Sequence, residues 1–130
     1  MAEILNIETP TVTYILEMNV KVGSTDIETW IKNTSAKYTY ELNEPKTLRF
    51  EWFLSDDNSK ATLVEVFQDS DGAKQRAENL LSSPVLTEWQ DRFEVTKFTV
   101  YGRVKPNLNE VLKGFEAEVR SYAGGFNKMA

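Results

Sequence analysis

Apolar and other side chains alternate from Ala61 to Gln68, and the alternation places Glu65 on the same strand face as Leu63 and Phe67. A carboxylate set among such neighbours is short of water. Desolvation disfavours its charged form and raises its pKa, by up to ~3 to 5 units when burial is complete, which would poise Glu65 as a base. The same position also suits a structural carboxylate, hydrogen-bonded to backbone or tyrosine groups or paired with an arginine. The chain has no Cys and no His. That excludes disulfides, thiolate zinc sites, cysteine nucleophiles, Ser-His-Asp triads and histidine-ligated haem, so any chemistry falls to Asp, Glu, Lys, Arg, Tyr, Ser, Thr or Asn.

Other chemically capable residues have more modest expectations. Glu51 points away from the face shared by Phe50 and Trp52, on the side of Arg49 and Phe53, where an ion pair with Arg49 is its natural role. Tyr14, Trp52, Trp89 and Phe93 could stack on a ring substrate or could simply fill the core, since aromatic side chains dominate both settings. Asn19, near the end of a strand, could hydrogen-bond a substrate carbonyl, but a one-residue slip would turn it to the other face. Asp69-Ser70-Asp71-Gly72 has its Gly too early for a calcium loop and no bidentate Glu at the required spacing, which leaves helix capping. Gly23-Ser24-Thr25 and Gly124-Gly125 lack the phosphate-loop fingerprints and read as a turn and a helix stop.

The elements that must position these groups follow from periodicity. Val12, Tyr14, Leu16, Met18, Val20 and Val22 recur at every second position and predict a strand. Thr25 with Glu28 fits a capping box that opens a helix presenting Ile27, Trp30, Ile31, Thr34, Tyr38 and Leu42 on one face, closed by Asn43-Glu44-Pro45. Thr47 to Ser55 and Ala61 to Gln68 read as a hairpin around the polar run from Asp56 to Lys60. A helix capped at Asp69-Ser70-Asp71 carries Ala73, Ala77, Leu80 and Leu81. A short helix after Pro84 carries Leu86, Trp89 and Phe93, and Glu94 to Gly102 returns to a strand. Beyond Arg103 a last helix is expected, capped by Asn107 with Glu110, striped by Leu108, Val111, Leu112, Phe115, Val119 and Tyr122, and stopped at Gly124-Gly125.

The order βαββαβ is the ferredoxin-like arrangement, an α+β fold with a four-stranded antiparallel sheet and helices on one face. Bulky groups on both faces of its strands predict that a second copy covers the bare face, giving a homodimer. The expected organisation is an extension over residues 1–11, a ferredoxin-like domain over 12–103 and a helical appendage over 104–130.

The 130 residues, 41% hydrophobic and 27% charged, suit one ordinary globular domain. Net charge is -5, and Lys and Arg form no dense run, so neither nucleic acid nor a membrane is an expected partner. No segment approaches 18 apolar residues and the start has no signal-peptide pattern; the expected compartment is the cytoplasm, where the sequon Asn33-Thr34-Ser35 would go unused.

The run from Glu44-Pro45 through Phe50-Glu51, followed by Glu65-Val66-Phe67-Gln68-Asp69-Ser70, resembles antibiotic-biosynthesis-monooxygenase (ABM) domains. In those, a Glu-Pro-Gly strand ends in Tyr-Glu, and a second strand reads Glu-x-aromatic-x-Asp/Ser-Ser; the resemblance spans about residues 12 to 103. It implies a dimeric α+β barrel with a small-molecule pocket between sheet and helices, and Phe67 turned toward that pocket beside Glu65. It further implies oxygenation of a phenol or quinol by molecular oxygen with no metal or organic cofactor. Glu65 and Asn19 would then be catalytic, and Tyr14, Trp52, Phe67, Trp89 and Phe93 would bind substrate. Haem-degrading relatives use Asn, Trp and His, whereas Phe67 stands at the Trp position here and His is absent. The competing expectation is a non-catalytic dimer of the same fold that carries or senses a metabolite.

Overall fold

The computed structural model describes residues 3–129. Five strands form one sheet in the order β2-β3-β1-β4-β5, with β1 Val12–Val20, β2 Thr47–Leu54, β3 Lys60–Phe67, β4 Phe93–Gly102 and β5 Glu118–Arg120. The first four strands pair antiparallel, and β5 runs parallel to β4 at its edge. This is the ferredoxin-like core expected from the element order, extended by one strand. No helix among the described residues is long and apolar enough to cross a membrane.

The pleat sorts side chains between two faces. Tyr14, Leu16 and Met18 of β1, Phe50, Trp52 and Leu54 of β2, and Leu63, Glu65 and Phe67 of β3 turn toward the helices and are buried or half-buried. Register fixes their neighbours: Tyr14 lies opposite both Glu65 and Val100, and Glu65 lies opposite Phe50. A bulge between Glu17 and Met18 sets Val95 opposite Met18, and the Thr96 hydroxyl donates to the Glu17 carbonyl at 3.0 Å.

Three helical pieces join β1 to β2. α1 (Ile27–Trp30) runs into a π-helical segment (Ile31–Ala36) and then α2 (Lys37–Glu41). The expected capping box does not form, since Asp26 is the cap and Thr25 precedes it. Glu28 instead pairs with Lys32 at 2.9 Å. The expected face also changes midway. Ile27, Trp30 and Ile31 are buried as the period predicts, but the next buried residues are Ser35 and Thr39 rather than Thr34 and Tyr38. A π turn holds one more residue than an α turn, and that extra residue rotates everything after it by about 100°.

α3 (Ser70–Leu81) is capped as expected, the Asp69 carboxylate accepting from the Gly72 N–H at 2.9 Å. Gly72 is required by close approach: a Cβ there would meet the Lys46 Cβ at 2.6 Å. α4 (Leu86–Arg92) ends one residue earlier than the pattern suggested, because Phe93 already has extended backbone and opens β4.

The C-terminal stripe is the largest departure. α5 spans only Pro106–Lys113, with Lys105 as its cap and Gly114 at its end, and Val119 lies in β5. Asn107 accepts from the Leu108 N–H rather than capping the helix, and Glu116 adopts a positive φ of 56° that breaks any helical continuation. Leu108 and Leu112 seal the helix onto the core, while Tyr122 lies in an exposed loop. The two ends of the chain meet there: the Asn6 N–H donates to the Gly125 carbonyl, and the Gly125 N–H returns a bond to the Asn6 side chain.

Candidate functional site

The helices do not seal against the inner sheet face. Between them lies a cavity of about 350 Å³. Its floor is Tyr14, Leu16, Phe50, Trp52, Leu63 and Glu65, and α3 contributes Arg76, Ala77 and Leu80 on one side. The π segment and α2 contribute Ser35 and Thr39, and α4 contributes Leu86 and Trp89. A hollow of this size, mostly apolar with a few polar groups converging on it, is the usual form of a small-molecule site.

Glu65 is the central polar group, 6% exposed. Burial pushes its carboxyl up to about 7, the buried Glu44 carboxylate pushes in the same direction, and Arg76 opposes both. Arg76 reaches Glu65 only loosely, with Nε 3.9 Å from Oε1. Its close partner is Glu44, whose Oε2 accepts from Arg76 Nη1 at 3.0 Å and from Asn79 Nδ2 at 2.7 Å, while Oε1 accepts from the Thr47 hydroxyl at 2.8 Å. Glu44 is thus fully engaged and compensates the guanidinium. Among the described residues Glu65 accepts no hydrogen bond, and the only sealed side-chain polar atom without a partner is Trp30 Nε1. The Glu65 oxygens and the remaining Arg76 N–H groups therefore face the cavity, free to meet a ligand.

The aromatic wall is built in two layers. Trp52 lines the cavity, donates its indole N–H to Ser35 Oγ at 3.1 Å, and rests on Phe93 with centroids 4.9 Å apart. Tyr14 lines it too, but its hydroxyl donates to the Ala73 carbonyl at 2.7 Å, and burial and the nearby Glu65 charge hold its pKa far above the usual phenol range. That hydroxyl is committed to structure at neutral pH.

The residues singled out from sequence fall into three groups. Glu65, Tyr14, Trp52 and Trp89 meet at the cavity. Phe67 and Phe93 are buried one layer behind it, Phe67 edge-on against Tyr14 at 4.7 Å and Phe93 against Trp52 and Trp30, so neither forms its surface. Asn19 stands on the opposite face of the sheet, exposed, opposite Lys60 and Glu94, because it alternates with the inward Met18. The geometry gives it no contact with the cavity.

Arg76, Glu44, Ser35 and Thr39 were not singled out. Arg76 had a readable signal, since it lies three residues after Ala73 and four before Leu80, on the apolar stripe of α3, where an arginine needs a partner. Ser35 and Thr39 had none. Glu51 pairs with Arg49 at a contact made on the outer face, as its alternation suggested.

No protein-family model matches this chain, and no curated protein matches it in sequence. Solved structures do match in fold. MupZ from Pseudomonas fluorescens superposes with a TM-score of 0.73 at 12% identity, over 93% of this chain and 97% of that one. SnoaB, a cofactor-independent oxygenase from Streptomyces nogalater, gives 0.55 at 15% identity over 75% and 96%. A proposed antibiotic biosynthesis monooxygenase from Nitrosomonas europaea gives 0.53 at 20% identity over 77% and 96%. The chain has the ferredoxin-like fold that these structures share.

Proposed function

We propose that the protein binds a small neutral phenol or quinol in this cavity and oxygenates it with molecular oxygen, using no metal or organic cofactor. The observation that carries the reading is Glu65: a carboxylate with a pKa near neutrality, facing an aromatic hollow beside a guanidinium. SnoaB supports it at the level of the shared fold, being a cofactor-independent oxygenase. Charge supports a neutral ligand, because Glu44 already balances Arg76 and an anion would face an uncompensated Glu65.

In this scheme the ring hydroxyl loses its proton to Glu65, and Arg76 stabilises the resulting oxyanion. The substrate anion passes one electron to dioxygen, and the two radicals join through a new carbon–oxygen bond. The bound peroxide then takes up a proton and its O–O bond breaks. One oxygen atom stays on the ring as a carbonyl, and the other leaves as water with the hydrogens of the original O–H and C–H. Apolar walls keep bulk water from the intermediates. The protein would act as a cytoplasmic homodimer, with the outer sheet face covered by a second copy and with no nucleic-acid or membrane partner.

The test is oxygen consumption by purified protein with a panel of naphthoquinols and phenols, against a boiled control. Glu65→Gln is expected to keep ligand affinity and lower uptake by about 10² or more. An unchanged rate removes Glu65 from the mechanism. Binding without any uptake favours a carrier or sensor of the same ligands.

A further inference from the structure

We infer that the ligand is an amphiphile bound ring first: its phenol or quinol ring meets Glu65 and Arg76, and an apolar chain on that ring runs back to the surface over Leu81 and Val95. The inference rests on the binding reading above and adds to it the chemical class of the substituent.

The cavity inverts the usual distribution of side chains. Charged groups belong at the surface and large apolar ones inside, so departures from that rule are the informative cases. Here Glu65 and Arg76 are 6% and 5% exposed, whereas Leu81 and Val95, which line the same hollow, are 60% and 39% exposed. Gly114 also lines it and is exposed; having no side chain, it meets the hollow and the solvent with the same few atoms. The hollow therefore reaches water at an apolar rim, and its charged groups lie at the inner end.

Register separates the two ends. Glu65 of β3 lies opposite Tyr14, and Val95 of β4 lies opposite Met18, four residues further along β1 and on its other side. Leu16 stands between those two levels, opposite both Leu63 and Phe98, and all three line the hollow. Between the carboxylate and the rim the floor is thus hydrocarbon. The end of α3, the start of α4 and the turn joining them add Leu80, Val85 and Leu86 to the lining.

Size points the same way. A hollow of ~150 Å³ accepts benzene, and this one holds about 350 Å³. A lone phenol would leave roughly half of it empty, and apolar wall without a partner atom contributes no dispersion energy. An alkyl chain fills the remainder and takes Leu81 and Val95 from water, each fully buried methylene tightening binding about fourfold.

The experiment is calorimetric titration under anaerobic conditions with 4-ethyl-, 4-butyl-, 4-hexyl- and 4-octylphenol. Wild-type affinity is expected to climb through the series and to gain about tenfold or more from butyl to octyl, the scale of four methylenes half removed from water. In the Leu81→Ser/Val95→Ser double variant that gain should fall to within about twofold while 4-ethylphenol affinity holds, and each single variant should lose part of it. Both residues are exposed, and melting temperatures check that the variants fold. A wild-type affinity that peaks at 4-ethyl- or 4-butylphenol overturns the inference, because it means that the rim is closed to the chain or covered by a second copy. A gain that survives both substitutions overturns it too, since it then reports the poor solubility of the longer phenols and not the rim. Either result leaves the pocket reading standing. If no member of the series binds the wild type, the pocket reading fails and takes the inference with it.

Discussion

Arg76 holds its Nε 3.9 Å from Glu65 Oε1, beyond hydrogen-bond reach, while Nη1 of the same guanidinium grips Glu44 at 3.0 Å. The unequal distances explain how a carboxylate beside a cation keeps a raised pKa. Glu44 takes up the positive charge and adds its own negative field, so desolvation prevails at Glu65.

The first prediction follows from that competition. Oxygen uptake should rise with pH through about 7 as Glu65 becomes the ionised base. Glu44→Gln removes a like charge and frees Arg76 to act on Glu65, so the midpoint of the rise should move toward acid by about one unit, the lower end of such charge effects. A pH–rate profile of both proteins measures it. An unmoved midpoint would mean that Glu44 does not govern Glu65.

Stability should carry the same signature. Glu65 is raised from 4.5 to about 7 in the folded protein, so the folded state binds the proton more tightly than the unfolded chain. Its contribution is full below about pH 4.5 and is lost as pH rises through 7. The loss amounts to about 3 kcal/mol at 1.36 kcal/mol per unit. Glu65→Gln cannot ionise, so the difference in unfolding free energy between variant and wild type should grow in the variant's favour between pH 5 and pH 8. Urea titrations at both values check the sign, and a constant difference would refute the buried-carboxylate account.

The sheet and the face of Glu65 were legible in the sequence because strand period has only two phases, and Leu63, Glu65 and Phe67 share one of them. Helix phase is less robust. One π turn moved Ser35 and Thr39 inward, and no residue type marks that insertion. Phe67 and Phe93 show a different limit, since alternation reports which face a ring takes but not whether it forms the cavity surface or the layer behind. At the C-terminus, Leu108, Leu112, Phe115, Val119 and Tyr122 keep a helical spacing, yet Gly114 and the left-handed Glu116 end the helix and release Val119 to extend the sheet. Arg76 was readable as a misplaced charge on an apolar stripe, but naming Glu44 as its partner required the fold, which brings residues 32 positions apart into contact.

The outer sheet face offers a test of assembly. Phe53 is 53% exposed there, among the half-buried Ile15, Val64 and Val66. A second copy packed on this surface would take those groups from water. Sedimentation velocity should therefore give twice the chain mass for the wild type, and Phe53→Lys should shift the species toward a single chain without unfolding it. A wild-type protein that sediments as one chain at working concentrations would remove the dimer from the reading.

The last prediction concerns the α4 wall of the cavity. α4 contains no buried residue, yet its Leu86 and Trp89 form the cavity wall, so it owes little to the core. It is fastened mainly at its C-terminal end. Arg92 forks onto the Asp26 carboxylate at 3.2 and 2.8 Å and lies over the Trp30 ring at 5.1 Å, while the Lys21 ammonium donates to the Gln90 carbonyl. A cover anchored at one end can open at the other. Asp26→Asn should loosen it with little cost to global stability, because the Asp26 side chain is half exposed and solvent screens the pair. Amide exchange over 83–91 should accelerate, and bound ligand should leave faster, with a smaller effect on equilibrium affinity than on dissociation rate. Exchange confined to the wild-type rate, together with an unchanged dissociation rate, would show that substrates reach Glu65 by a route that does not displace α4.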